Sequence, residues 1–187
     1  MPTILSHPAV PLAIGLGLGS RVIPPRLLLA GVLASMAPDL DVISSHFGLA
    51  YGSAVGHHGI TAMGHRGLSH SLVFALIIAL LGAASCRALR VRALTAFAFL
   101  FVATASHGVL DSFTNGGQGV AFLWPFSNER FFAPYQVIEV SGLGAAWLFT
   151  SRGVSVLLSE LLWVWLPCAG LALTIWTLRR NAMRPHP

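Results

Sequence analysis

Lysine is absent from this sequence, and charge of either sign is scarce: Asp, Glu and Arg together make up 9% of 187 residues. A typical soluble domain carries roughly 25% charged residues. Eleven arginines and six acids cannot cover the surface of a soluble fold of this length. Cysteine is limited to Cys86 and Cys168. Both lie in apolar segments without a partner at metal-ligand spacing, so neither a thiolate metal site nor a disulfide framework finds support. The arginines form no continuous basic stripe, which excludes a nucleic-acid footprint. Leu, Ile, Val and Phe are abundant, which excludes disorder. The N-terminus carries no basic leader ahead of its first apolar run, so that run is expected to be retained.

Apolar residues make up 55% of the chain. They gather in long runs with charge between them, the pattern of a chain immersed in lipid. The length suits a single domain, residues 1–187. The expected architecture is all-α, a polytopic transmembrane helical bundle of five to six segments, some short or partial. Leu5–Ser20 and Leu27–Ala37 fall below the roughly 20 residues of a full span and suggest a short hairpin. Ser71–Ser85, with Ser69 as expected N-cap, and Ala93–Leu110 read as membrane helices. Gln136–Thr150 is a fifth apolar segment. Val154–Leu178 is a longer one, separated from it by Arg152. Between these lie polar loops at 42–69 and 112–134. The second holds an aromatic patch, Trp124-Pro125-Phe126, of the kind found at membrane interfaces.

Arginine excess marks the cytoplasmic side of a membrane protein. The basic turns at 21–26 and 87–92 fall on one face. Alternating segments then put His7, Asp39, Asp41, His65, His70, His107 and Asp111 on the opposite, outward face. If both 136–150 and 154–178 span, the arginines at 179, 180 and 184 face outward, against the rule. If only one spans, they join the other basic turns.

Acids are rare here, and ionisable groups at membrane depth are functional candidates by default. His107 and Asp111 are spaced i, i+4 and share one helix face. An imidazole and a carboxylate so placed can hold a divalent metal. His65-Arg66-Gly67-Leu68-Ser69-His70 adds two imidazoles near a helix start, and Asp39-Leu40-Asp41 adds two carboxylates after a proline. This set suffices for one or two ions, zinc or manganese. Arg66 is placed to clamp a phosphate in a bidentate manner. Asp41 and Glu139 are candidates to accept a proton. His46, His57 and His58 read as plain loop histidines.

Together, Ser6-His7, Pro38-Asp39-Leu40-Asp41, His65-Arg66-Gly67-Leu68-Ser69-His70-Ser71 and His107-Gly108-Val109-Leu110-Asp111 resemble the membrane-bound metal-dependent hydrolase family, also labelled the inner-membrane LexA-binding type. The resemblance covers roughly residues 3 to 140. It implies a multi-span inner-membrane protein whose metal ligands are His7, Asp39, Asp41, His65, His70, His107 and Asp111. The expected function is a membrane-embedded metal-dependent hydrolase, acting on a phosphoester of a lipid or lipid-linked substrate at the outer face. The expected partners are the bilayer and that substrate. A metal-ion or proton transporter, and a metal-stabilised regulatory membrane protein, are the competing expectations.

Overall fold

The computed structural model describes residues 2–41, 66–141 and 149–182. Its order of elements begins with α1 (Ala9–Leu18) and α2 (Pro25–Met36), which continues into a 3-10 turn, Ala37–Leu40. A second 3-10 turn, Leu68–His70, leads into α3 (Leu72–Ala84), and the short α4 (Cys86–Leu89) follows. The bundle is completed by α5 (Ala93–Ser112) and α6 (Ser151–Ala182). Among the described residues there is no β-strand, only two isolated bridges, Thr114 with Ile138 and Val120 with Phe131.

Helices α5 and α6 are long and apolar enough to cross a membrane, with 20 and 32 residues. At 1.5 Å per residue the first reaches about 30 Å, the thickness of a hydrocarbon core. Helices α1 and α3 are apolar but shorter. Most of α6 turns leucines and tryptophans outward, among them Leu157, Leu162, Trp163, Leu173 and Leu178. Such a surface suits acyl chains, since a helix pairs the backbone polar groups of its interior within itself.

Three boundaries differ from the sequence expectation. Ser71, not Ser69, caps α3: its hydroxyl accepts from the Phe74 N–H at 3.1 Å and donates to the Leu68 carbonyl. Arg152 does not separate two segments, because it lies in the first turn of α6, begun by a Thr150 cap. The segment expected over 136–150 is not helical at 136–141, where Ile138 pairs with the chain after α5. Residues 142–148 fall outside the described residues.

The helices pack through small residues, as membrane helices do when dispersion replaces the hydrophobic effect. Gly31 of α2 faces the Phe99 ring of α5, and Gly82 of α3 faces Leu100. Ile23, Leu27, Ala34, Ala96, Phe99 and Leu100 form the apolar core of this half.

Most of the described arginines gather at one end of the bundle. Arg26 donates to the Ala88 carbonyl and Arg179 to the Leu18 carbonyl, which ties the turns at 19–26 and 85–92 to the end of α6. Arg21, Arg26, Arg87, Arg90, Arg92, Arg179 and Arg180 therefore share one end. The six acids lie toward the other, where the loop after α5 folds over the start of α3: the Leu72 N–H donates to the Phe122 carbonyl, and the Ala121 N–H to that of Arg66.

Candidate metal centre

At the acidic end five side chains from four parts of the chain meet in the protein interior. His7 comes from the turn before α1, Asp39 from the 3-10 turn after α2, and His70 from the turn before α3. His107 and Asp111 come from the last turns of α5. All five are buried. Pro38 makes the tight turn that carries Asp39 inward, and the helical spacing of His107 and Asp111 puts both on the buried face of α5.

Two groups bring three ligand atoms within 4.8 Å of one another: His7, His107 and Asp111, and Asp39, His70 and His107. In the second, Asp39 Oδ1 stands 3.3 Å from His107 Nε2 and 3.9 Å from His70 Nε2, and the two nitrogens are 3.0 Å apart. Asp111 Oδ2 lies 3.2 Å from His70 Nε2 and 3.9 Å from His107 Nε2. His7 stacks on His107 with ring centroids 3.6 Å apart, and its Nε2 is 3.5 Å from Asp39 Oδ2.

The outer nitrogens of two of these rings fix their tautomers. His107 Nδ1 is 2.7 Å from the Ser35 carbonyl, which can only accept, so Nδ1 carries the proton. The Ser69 hydroxyl donates to Asp41 Oδ2 at 2.8 Å and so accepts from His70 Nδ1 at 2.9 Å. As neutral rings, both would present an unprotonated Nε2 to the centre. Burial pushes His70 down to about 4 and His7 down to about 3, so both are neutral lone-pair donors at neutral pH.

The result is a buried cluster of polar atoms. Both nitrogens of His7 and both carboxylate oxygens of Asp39 and of Asp111 are buried without hydrogen-bond geometry. Imidazole nitrogens and carboxylate oxygens so grouped could hold a metal ion.

Of the remaining sequence candidates, Asp41 stands on the outer side of His70, with Oδ2 3.5 Å from Nδ1. It belongs to neither three-ligand group. Arg66 is fully buried. Its Nε lies 3.0 Å from Asp111 Oδ2, and its Nη atoms donate to Thr114 Oγ1 at 2.8 Å and the Gly116 carbonyl at 3.0 Å. It holds Asp111 rather than facing open space. Glu139 also stands apart from both groups. Its Oε1 accepts from Ser155 at 2.7 Å, and its N–H donates to Ser159, which ties it to α6. His65 lies outside the described residues.

Sequence reading passed over Glu160. It is 2% exposed and accepts from the Thr3 N–H, from Thr3 Oγ1 at 2.7 Å and from Ser6 Oγ at 2.7 Å. An acid inside the apolar run 154–178, in a chain with six acids, was the signal that could have found it.

The family described as YdjM inner membrane protein matches residues 1–182. A relative, Inner membrane protein YbcI of Escherichia coli strain K12, is 50% identical over 181 residues, which are 96% of this chain and 100% of the relative. No solved structure matches.

Proposed function

We propose a function for a chain that belongs to the YdjM inner membrane protein family: metal-dependent hydrolysis, within the membrane, of a phosphoester in a lipid or lipid-linked substrate. One observation carries the reading. His70 Nε2, His107 Nε2 and Asp39 Oδ1 converge on one buried point, with separations of 3.0, 3.3 and 3.9 Å. A divalent cation at that point would be held by all three.

His7, Asp39, His70, His107 and Asp111 would hold one or two divalent ions, zinc or manganese. Bound there, a divalent ion supplies activation of water and charge neutralisation at a phosphoryl oxygen. The chain's own residues do the rest. Ser35 and Ser69 orient the two imidazoles, and Arg66 fixes the Asp111 carboxylate. Asp41 accepts from Ser69 on the outer side of His70, where it backs that ligand rather than reaching the metal point. Glu139 is bound by Ser155 and receives no proton-transfer role.

A lipid substrate is supported by the apolar rim of this end. Leu5, Leu40, Leu68, Phe126, Tyr135 and Phe149 are exposed there, Phe126 by 86%, as suits an interfacial surface. The outward face is supported by the seven arginines gathered at the opposite end, which the positive-inside rule puts in the cytoplasm. The depth of burial of all five ligands favours a second reading, a metal held for stability alone.

Elemental mass spectrometry on detergent-purified protein tests the first claim. One to two equivalents of zinc or manganese are expected, lost in His107→Ala and Asp39→Ala variants that remain folded. A folded wild type that takes up neither metal overturns the reading. Phosphate release from short-chain phospholipids and lipid phosphates by the loaded wild type, abolished in both variants, separates hydrolysis from a purely structural metal.

A further inference from the structure

His7 differs from the other two histidines of the centre. His70 and His107 are each oriented through Nδ1, by Ser69 and by the Ser35 carbonyl. Neither nitrogen of His7 has a hydrogen-bond partner, yet the ring is fully buried and stacked on His107. Its place is therefore set by its backbone. That backbone is the turn closed by the Ser6 N–H on the Thr3 carbonyl at 2.9 Å. The turn is held from the far end of the sequence by the buried carboxylate of Glu160.

The carboxylate meets three donors, the Thr3 N–H and the hydroxyls of Thr3 and Ser6. Ser6 Oγ in turn accepts from Trp165 Nε1 at 3.2 Å. Positions five apart do not share a face of a regular α-helix. Here they do, because Leu161–Trp165 is a π-helical turn. The widened turn brings Glu160 and Trp165 to the same N-terminal segment, and such turns are frequent at functional sites.

We propose that Glu160 is a positioning residue of the metal centre: through Thr3 and Ser6 it sets where His7 presents its nitrogen, so that the ligand set is complete only with α6 docked. This rests on the metal-centre reading above. Helix α6 then contributes to the site without offering it a ligand.

Cobalt(II) loading of the full-length protein in detergent tests it, because the visible spectrum of the ion reports its ligand set. The variants are His7→Ala, Glu160→Ala, the double variant and the milder Ser6→Ala. Glu160→Ala is expected to reproduce the spectral change of His7→Ala. Its cobalt affinity should be roughly 10- to 100-fold weaker than wild type, the usual loss when a ligand-orienting group is removed. The double variant should bind no more weakly than His7→Ala alone. If Glu160→Ala does not fold, Ser6→Ala carries the same spectral expectation with a smaller loss. A role in stability only would lower the melting temperature and leave the spectrum as in wild type, and that result overturns the proposal. So does a double variant whose affinity losses multiply. A wild type that takes up no cobalt instead sinks the metal reading, and the positioning role falls with it.

Discussion

Replacing Arg66 by Met tests the electrostatics of the buried centre. The side chain is 1% exposed. Methionine keeps the aliphatic stem but deletes the ion pair with Asp111 at 3.0 Å and the hydrogen bonds to Thr114 and Gly116. Removing one member of a buried ion pair costs about 3–5 kcal/mol, because the other is left uncompensated. Two lost hydrogen bonds add on the order of 1 kcal/mol. For a chain of this length, 1 kcal/mol is roughly 2–4 °C in melting temperature, so the metal-free variant should melt about 8–24 °C lower than wild type. A cation bound by Asp111 supplies the missing positive charge. Zinc should therefore raise the melting temperature of Arg66→Met by more than it raises that of wild type. Arg66→Lys keeps the charge and should show the wild-type increment. Thermal shift assays in detergent, with chelator and with zinc, measure both quantities. Equal zinc increments in wild type and Arg66→Met would refute the coupling of Arg66 to a cation at Asp111, and an unchanged melting temperature would refute the buried pair itself.

Acidification should destabilise the metal-free protein. The pKa values of His7 and His70 are lowered by burial from 6.5 to about 3 and about 4. Between those values and 6.5 the unfolded chain binds more protons at these two positions, so their contribution to stability is full above about pH 6.5 and falls as pH drops toward 4. A melting temperature that is level or rises from pH 7.5 to 5 contradicts the buried neutral imidazoles. Orientation is read by thiol labelling: Cys86 at the arginine-rich end should react with an impermeant maleimide only after spheroplast lysis. A Phe126→Cys variant should react without lysis, and the reverse pattern inverts the topology. In Gly31→Ala the new Cβ meets Phe99 Cε1 at 2.3 Å, an overpacking that should cost about 1–3 kcal/mol. Trimming the ring with Phe99→Leu in the same chain should restore part of it, and an unperturbed Gly31→Ala denies the close approach of α2 and α5.

Much of the fold could be read from the sequence because its cause is composition. Apolar runs broken by arginine mark where helices α3 and α5 start and stop, and the His107–Asp111 spacing declares a shared face before any tertiary contact is known. The convergence of Asp39 and His70 on that face was anticipated only as a shared side of the membrane. Their separations depend on the 3-10 turns, which leave no periodic signal. The choice between Ser69 and Ser71 as cap was not decidable from residue type, since both are good caps. It is settled by Ser69 bonding to Asp41 and His70. At 136–141 the expectation of a helix fails because a short apolar stretch fits a helix and an extended segment equally well. Glu160 was hidden by its neighbours: its partners Thr3 and Ser6 are over 150 positions away.

That separation has a consequence in time. Thr3 leaves the ribosome 157 residues before Glu160. At about 5–20 residues per second, the N-terminal turn waits on the order of ten to thirty seconds for the carboxylate that fastens it. During that interval His7, Asp39, His70 and His107 enter the bilayer in succession, while the strap that closes the first turn has yet to be made. Assembly of this end of the protein is therefore a last event of biogenesis, and a chain released before α6 carries the side chains of the centre without the part that seats its first histidine.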